Sequence, residues 1–180
     1  MKQHPIKKYR LLFLFAGTLV MMVVMAKTGA SLKTPDTPKG ILDLEFAYNA
    51  AKASAVINAW TGIIPVDNNL IAIVNTWLDF IFIFFYALFL YYACKMFATS
   101  FNGLLHTIGG ILAKGALAAG LLDVLENIGM LITLHGTISD SYTLLTFICS
   151  ITKWVLALAA LLYVLITGAL LLYKKISRPW

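Results

Sequence analysis

Four stretches of this chain stay apolar for about the length of a bilayer crossing, and the segments between them are polar or rich in turn-forming residues. A helix crosses a hydrocarbon core of about 30 Å with roughly 20 mainly apolar residues, because each adds about 1.5 Å. Residues 11–26 form the shortest stretch; residues 71–94 contain one acid, Asp79. Residues 111–134 carry Lys114, Asp123 and Glu126, and residues 154–173 have no charge at all. Lipid cannot satisfy free backbone groups, and these runs far exceed barrel-strand length, so helices are the expected spanning elements. The pattern predicts an all-α polytopic membrane protein: a four-transmembrane-helix bundle in one membrane domain over residues 1–180, with an added amphipathic helix on the outer side.

That added helix is expected over residues 41–60, where alanines favour helix and Leu44, Ala47, Tyr48, Ala51, Ala55 and Ala59 recur at helical spacing. It is too polar at its start to be a span, and an amphipathic helix on the outer surface or capping the bundle fits it better. SLKTPDTPKG before it reads as a turn-rich linker, and Pro65 ends it. Asn102-Gly103 marks a tight connection that makes spans two and three antiparallel neighbours. Asp140 is placed to cap a helix running into span four, and that helix is long enough to project from the bilayer or to bend near Ser150–Lys153. The first stretch also has the outline of a signal peptide, but its apolar region is long and Lys27 precedes the small residues Thr28 and Ala30, which favours a retained span.

Composition narrows the class. Of the 180 residues 61% are hydrophobic and only 12% charged, too little polar material to cover a soluble core. A soluble enzyme, a disulfide scaffold and a disordered tail are excluded. Nucleic acid is excluded as a partner, because the net charge of +6 sits at helix ends rather than on one patch. Lys2, Lys7, Lys8, Arg10, Lys95, Lys114, Lys174, Lys175 and Arg178 fall on one side without a single acid, whereas the other side is balanced. Positive flanks mark the cytoplasm, so both termini are expected inside. Cys94 and Cys149 fall toward opposite faces, which argues against a disulfide between them.

The candidate chemistry lies in the intramembrane acids, which face protein or water far more often than lipid. Asp79 lies nine residues below Leu70, and Glu126 nine below His135, which puts both in the outer half at matching depth; Asp123 is a turn deeper. Asn75, Asp79 and Tyr86 share one side of span two, and Asp123, Glu126 and Asn127 share a stripe on span three. Gly115 with Ala119 and Ala116 with Gly120 allow close helix packing beside them. Such acids need protons, a bound cation or a basic partner. Lys52 is the basic residue expected to reach them, with Glu45 as a competitor, and Asp43 and Glu45 join if the amphipathic helix dips inward. Hard divalent cations suit carboxylates, so Asp79, Asp123 and Glu126, with His135 as an added ligand, are the candidate metal ligands. No zinc motif is present.

LDLEF at 42–46, LDFIFIFFY at 78–86 and AGLLDVLEN at 119–127 resemble elements of a family of small, uncharacterised bacterial four-span integral membrane proteins. The resemblance implies a bacterial inner-membrane location and singles out Asp43, Glu45, Asp79, Asp123, Glu126 and Asn127 as the characteristic polar positions. It implies no activity. The reading that follows is a binding or accessory protein with a carboxylate-rich polar cavity in the outer half, holding a lipid headgroup or a cation. The alternatives are an embedded enzyme using Asp79, Asp123 and Glu126 on a lipid-like substrate, and a proton- or cation-coupled transporter built as a homo-oligomer.

Overall fold

The computed structural model describes residues 5–61 and 67–177. The break expected at Pro65, and the flanking Lys2 and Arg178, lie outside the described residues. Six α-helices follow in order: α1 (Pro5–Thr28), α2 (Ile41–Glu45), α3 (Ala50–Trp60), α4 (Asn68–Ala98), α5 (Leu104–Leu134) and α6 (Asp140–Ile176). Four of them, α1, α4, α5 and α6, are long and apolar enough to cross a membrane. Three extend well beyond the apolar windows, because a hydrogen-bonded helix continues until a cap or a turn stops it. Asp67 starts α4 by accepting from the amides of Asn69 and Leu70 at 3.0 and 3.2 Å. After α5, Gly136 adopts φ +96°, a conformation that ordinary side chains disfavour, and its amide closes on the Thr133 carbonyl at 3.1 Å. The last helix does not stop near Ser150. It is one helix of 37 residues, about 55 Å long.

Central to the bundle is α5, packed along α4 on one side and α6 on the other, while α1 lies against α4. Small residues make this possible. A Cβ on Gly120 would stand 2.8 Å from that of Ala87, and one on Gly109 would stand 2.7 Å from that of Ala98. Arg10 stacks 3.8 Å over the Tyr92 ring and Lys174 lies 4.8 Å over Phe101, so both chain ends gather where residues 99–103 turn. We call this the termini end.

The opposite end is capped. Residues 41–60 do not form the single helix expected: the chain leaves α2 after Glu45 and restarts at Ala50, where the Asn49 side chain accepts from the Lys52 amide at 2.9 Å. Asparagine is a better helix start than a helix interior, and here it interrupts the alanine-rich run. Asp140 is not the N-cap of α6, a position filled by Ser139. Its Oδ1 instead accepts from the Ala50 amide at 2.7 Å, 90 residues away, and ties α3 to the start of α6. Trp60 is fully buried beneath the cap; its indole N–H donates to the Leu32 carbonyl at 3.0 Å and the Thr37 hydroxyl at 3.1 Å.

Two apolar cores result. One, under the cap, contains Leu32, Leu44, Ala53, Trp60, Ala72 and Met130. The other fills the termini half with Ile83, Leu90, Ala113, Ala116, Ala160 and Val164. A polar layer lies between them. Cys94 and Cys149 are both buried and free.

Candidate functional site

The polar layer is organised around Lys153, which is 6% exposed. It stands on α6 in a stripe with Thr143, Thr146 and Ser150, all buried and spaced three, four and three residues apart, which keeps them on the face toward α5. A helical side chain leans toward its own N-terminus, so the Lys153 arm leans to the capped end, and Asp123 on antiparallel α5 leans the other way. They meet: Lys153 Nζ donates to Asp123 Oδ1. The same ammonium lies 2.9 Å from Glu126 Oε2 and 3.6 Å from Glu45 Oε2. Tyr86 lies deeper on α4, but leans back toward the cap and donates its hydroxyl to Asp123 Oδ2 at 2.7 Å.

The carboxyl contributed by the cap is Glu45, brought in because Leu44 next to it is anchored in the capped core. Its Oε2 accepts from Ser150 Oγ at 3.3 Å and from the Trp154 indole at 3.5 Å. Asp79 is half-buried and accepts from Asn127 Nδ2 at 2.7 Å, a second contact between α4 and α5. Glu126 is different. Its carboxyl is fully buried; Oε2 has the ion-pair contact to Lys153 outside hydrogen-bond alignment, and Oε1 has no partner. The buried Thr146 hydroxyl also lacks a hydrogen-bond partner, and it abuts Gly129, where a Cβ would collide with it.

Four acids, Glu45, Asp79, Asp123 and Glu126, thus share a layer in which Lys153 is the one ammonium in ion-pair contact among the described residues. A buried carboxylate without a counter-charge is expensive, so the layer needs further positive charge, as protons or as a charged ligand group.

Several expected members of the site are elsewhere. Lys52 is exposed and lies 4.0 Å over the Tyr48 ring, so the basic partner of Glu45 is Lys153 instead. Asp43 accepts from the Lys39 amide at 2.8 Å in the turn before α2 and stays out of the layer. Asn75 is on the predicted helix, but donates to the Met25 carbonyl at 3.1 Å and to Thr28 Oγ1 at 2.7 Å, fastening α1 to α4. His135 is exposed, with Nδ1 2.7 Å from the Leu131 carbonyl. Among the described residues no three His, Cys, Asp or Glu side chains converge as metal ligands. The metal set Asp79, Asp123, Glu126 and His135 is therefore not assembled: an ammonium sits between the two α5 acids, and His135 is turned to its own helix. Sequence reasoning missed Lys153, Ser150, Trp154 and Thr146. No family model, curated protein or solved structure matches this chain.

Proposed function

We propose that this is a membrane binding protein of accessory character, whose polar layer takes up the primary ammonium of an aminophospholipid headgroup from the capped side. The observation that carries the reading is the fully buried Glu126 carboxyl with an oxygen that no donor reaches, beside a lysine shared by three acids. The layer is short of both positive charge and N–H donors, and a primary ammonium supplies both. Its entry would be at Glu45 and Trp154, because Trp154 is 39% exposed and presents an indole face beside a carboxylate. When a ligand ammonium takes Glu45, the flexible Lys153 arm is released toward Glu126. Lys153 then supplies the donor that Glu126 lacks.

A binding role suits the layer better than conduction, because Leu90, Ala113, Ala116, Ala160 and Val164 close the bundle toward the termini end. Enzymatic use of Asp123 and Glu126 would need a scissile bond held against them, for which no observation speaks. The resemblance to small bacterial four-span proteins, the inner-membrane location and cytoplasmic termini belong to the same proposal. A cysteine at Asp36 should react with an external impermeant reagent and one at Ser177 should not.

The test uses purified protein in mild detergent, with native mass spectrometry and thermal unfolding in phosphatidylethanolamine, phosphatidylcholine or phosphatidylglycerol. Phosphatidylethanolamine should be retained and should raise Tm, whereas the quaternary headgroup of phosphatidylcholine, with no N–H, should not. Glu45→Gln and Glu126→Gln should remain folded and lose that selectivity. Equal retention of the amine and quaternary lipids by the unmodified protein would overturn the reading, as would unchanged selectivity in both variants.

A further inference from the structure

A cleft opens far from the polar layer, between α4 and α5 at the termini end. It measures about 330 Å³ and is lined by Tyr91, Lys95, Thr107, Gly110, Ile111, Ala113 and Lys114. We propose that this cleft binds the phosphate of an anionic phospholipid, with the first part of an acyl chain along Ile111. The inference is independent of the amine site, since no residue is shared.

Depth and direction bring its two lysines to one level. Helices α4 and α5 each have 31 residues. At about 46 Å they overhang a core of about 30 Å by roughly 8 Å at each side. Lys114 is ten residues into α5, about 15 Å along it, so its Cα lies below the hydrocarbon boundary. Its side chain leans toward the α5 N-terminus, outward to the headgroups. Lys95, three residues before the end of α4, starts in the headgroup zone and leans inward, because α4 runs the other way. The two ammonium groups converge on the phosphate level. Lys95 Nζ is held by the Tyr91 hydroxyl at 3.1 Å, and Lys114 has no hydrogen bond or ion pair among the described residues.

Charge complementarity selects the occupant. All eight acidic side chains of the chain lie in the cap, the polar layer or the connections at the capped end, so none of them stands near the cleft to repel an anion. Basic pockets between transmembrane helices recognise anionic headgroups by this combination of charge and apolar wall. The floor is open where it needs to be: a Cβ on Gly110 would meet no atom within 4 Å. The space is therefore available to a ligand and can be filled without disturbing the bundle.

The experiment places the full chain in nanodiscs or detergent and measures retention of phosphatidylglycerol against phosphatidylcholine by native mass spectrometry. Lys95→Gln and Lys114→Gln should each weaken phosphatidylglycerol retention about five-fold, as expected for one charge at the membrane surface. Gly110→Leu should fill the cleft and displace the lipid with Tm unchanged, while Lys52→Gln, at the capped end, should leave binding as it was. Retention should fall as salt rises. Equal retention of the two lipids, an unaffected Lys95→Gln/Lys114→Gln double variant, or displacement by millimolar inorganic phosphate would each overturn the proposal. The last result would make free phosphate the ligand. Loss of amine-lipid selectivity at the other site leaves these outcomes untouched, so the two proposals fail separately.

Discussion

Lys153→Met is the most informative single perturbation, because one side chain holds three acids on two different elements. Methionine keeps an unbranched apolar stem, ends one atom short of the lysine Nζ and deletes the charge, so most of the packing along α6 is conserved. What is lost is the contact to Asp123, the 2.9 Å contact to Glu126 and the 3.6 Å contact to Glu45. Removing one partner of a buried ion pair typically costs about 3–5 kcal/mol, mostly because the other charge is stranded. For a chain of this length each kcal/mol moves Tm by about 2–4 °C, so the expected loss is roughly 6–20 °C. The assay is thermal unfolding in detergent, repeated for Asp123→Asn and for the double variant. Residues in one network couple by about 0.5–3 kcal/mol, and here the sign is fixed: once the lysine is gone, neutralising Asp123 should restore stability rather than lower it further. A Tm loss below about 2 °C, or losses that simply add, would mean that the ammonium is solvated and does not bind the acids.

Three further outcomes follow from individual contacts. Gly120→Val should separate α4 from α5, since even a Cβ lies 2.8 Å from Ala87, and should cost about 1–3 kcal/mol in detergent unfolding. Trp60→Phe keeps the buried ring but removes the N–H shared by the Leu32 carbonyl and the Thr37 hydroxyl, which keep their own bond at 2.8 Å; a loss of about 0.5–1.5 kcal/mol is expected, with faster amide exchange over residues 30–37. Asp140→Ala removes the acceptor for the Ala50 amide, and should increase amide exchange at the start of α3 and cost about 1 kcal/mol, with exchange in α5 unchanged.

The spans were legible because hydrophobic length is a direct physical requirement of the bilayer. The Asp79–Asn127 and Tyr86–Asp123 pairs were approachable by counting depth and face on two antiparallel helices, since a helix fixes both. Lys153 was not, although its residue type was plain. An apolar window starts where polarity ends, and placing the start of span four at Trp154 left its neighbour in the connection. The stripe of Thr143, Thr146, Ser150 and Lys153, continued by Ala160 and Thr167 on the same face, was the available signal. The break at residues 46–49 was missed for a related reason: alanine spacing outweighed Asn49, whose side chain competes with the helix before it and caps the one after it. Asn75 shows what face counting cannot do. It identifies a side of a helix and not the neighbour that packs there, which for Asn75 is α1.

The position of Lys153 on the last helix has a consequence for how the protein is made. The acids of α5 leave the ribosome first, and Lys153 is 30 residues behind Asp123. At about 5–20 residues per second the interval is roughly 2–6 s. For that time Asp123 and Glu126 of α5 have α4, with the Tyr86 hydroxyl, beside them but no cation, and each charge near the centre of a helix opposes partition into lipid by about 2.5–3.5 kcal/mol. Helix α6, the most hydropathic of the four, enters readily and brings the missing cation. The final span is therefore the one that commits its predecessor to the membrane, and a chain truncated before Lys153 should leave α5 poorly inserted and exposed to quality-control proteolysis.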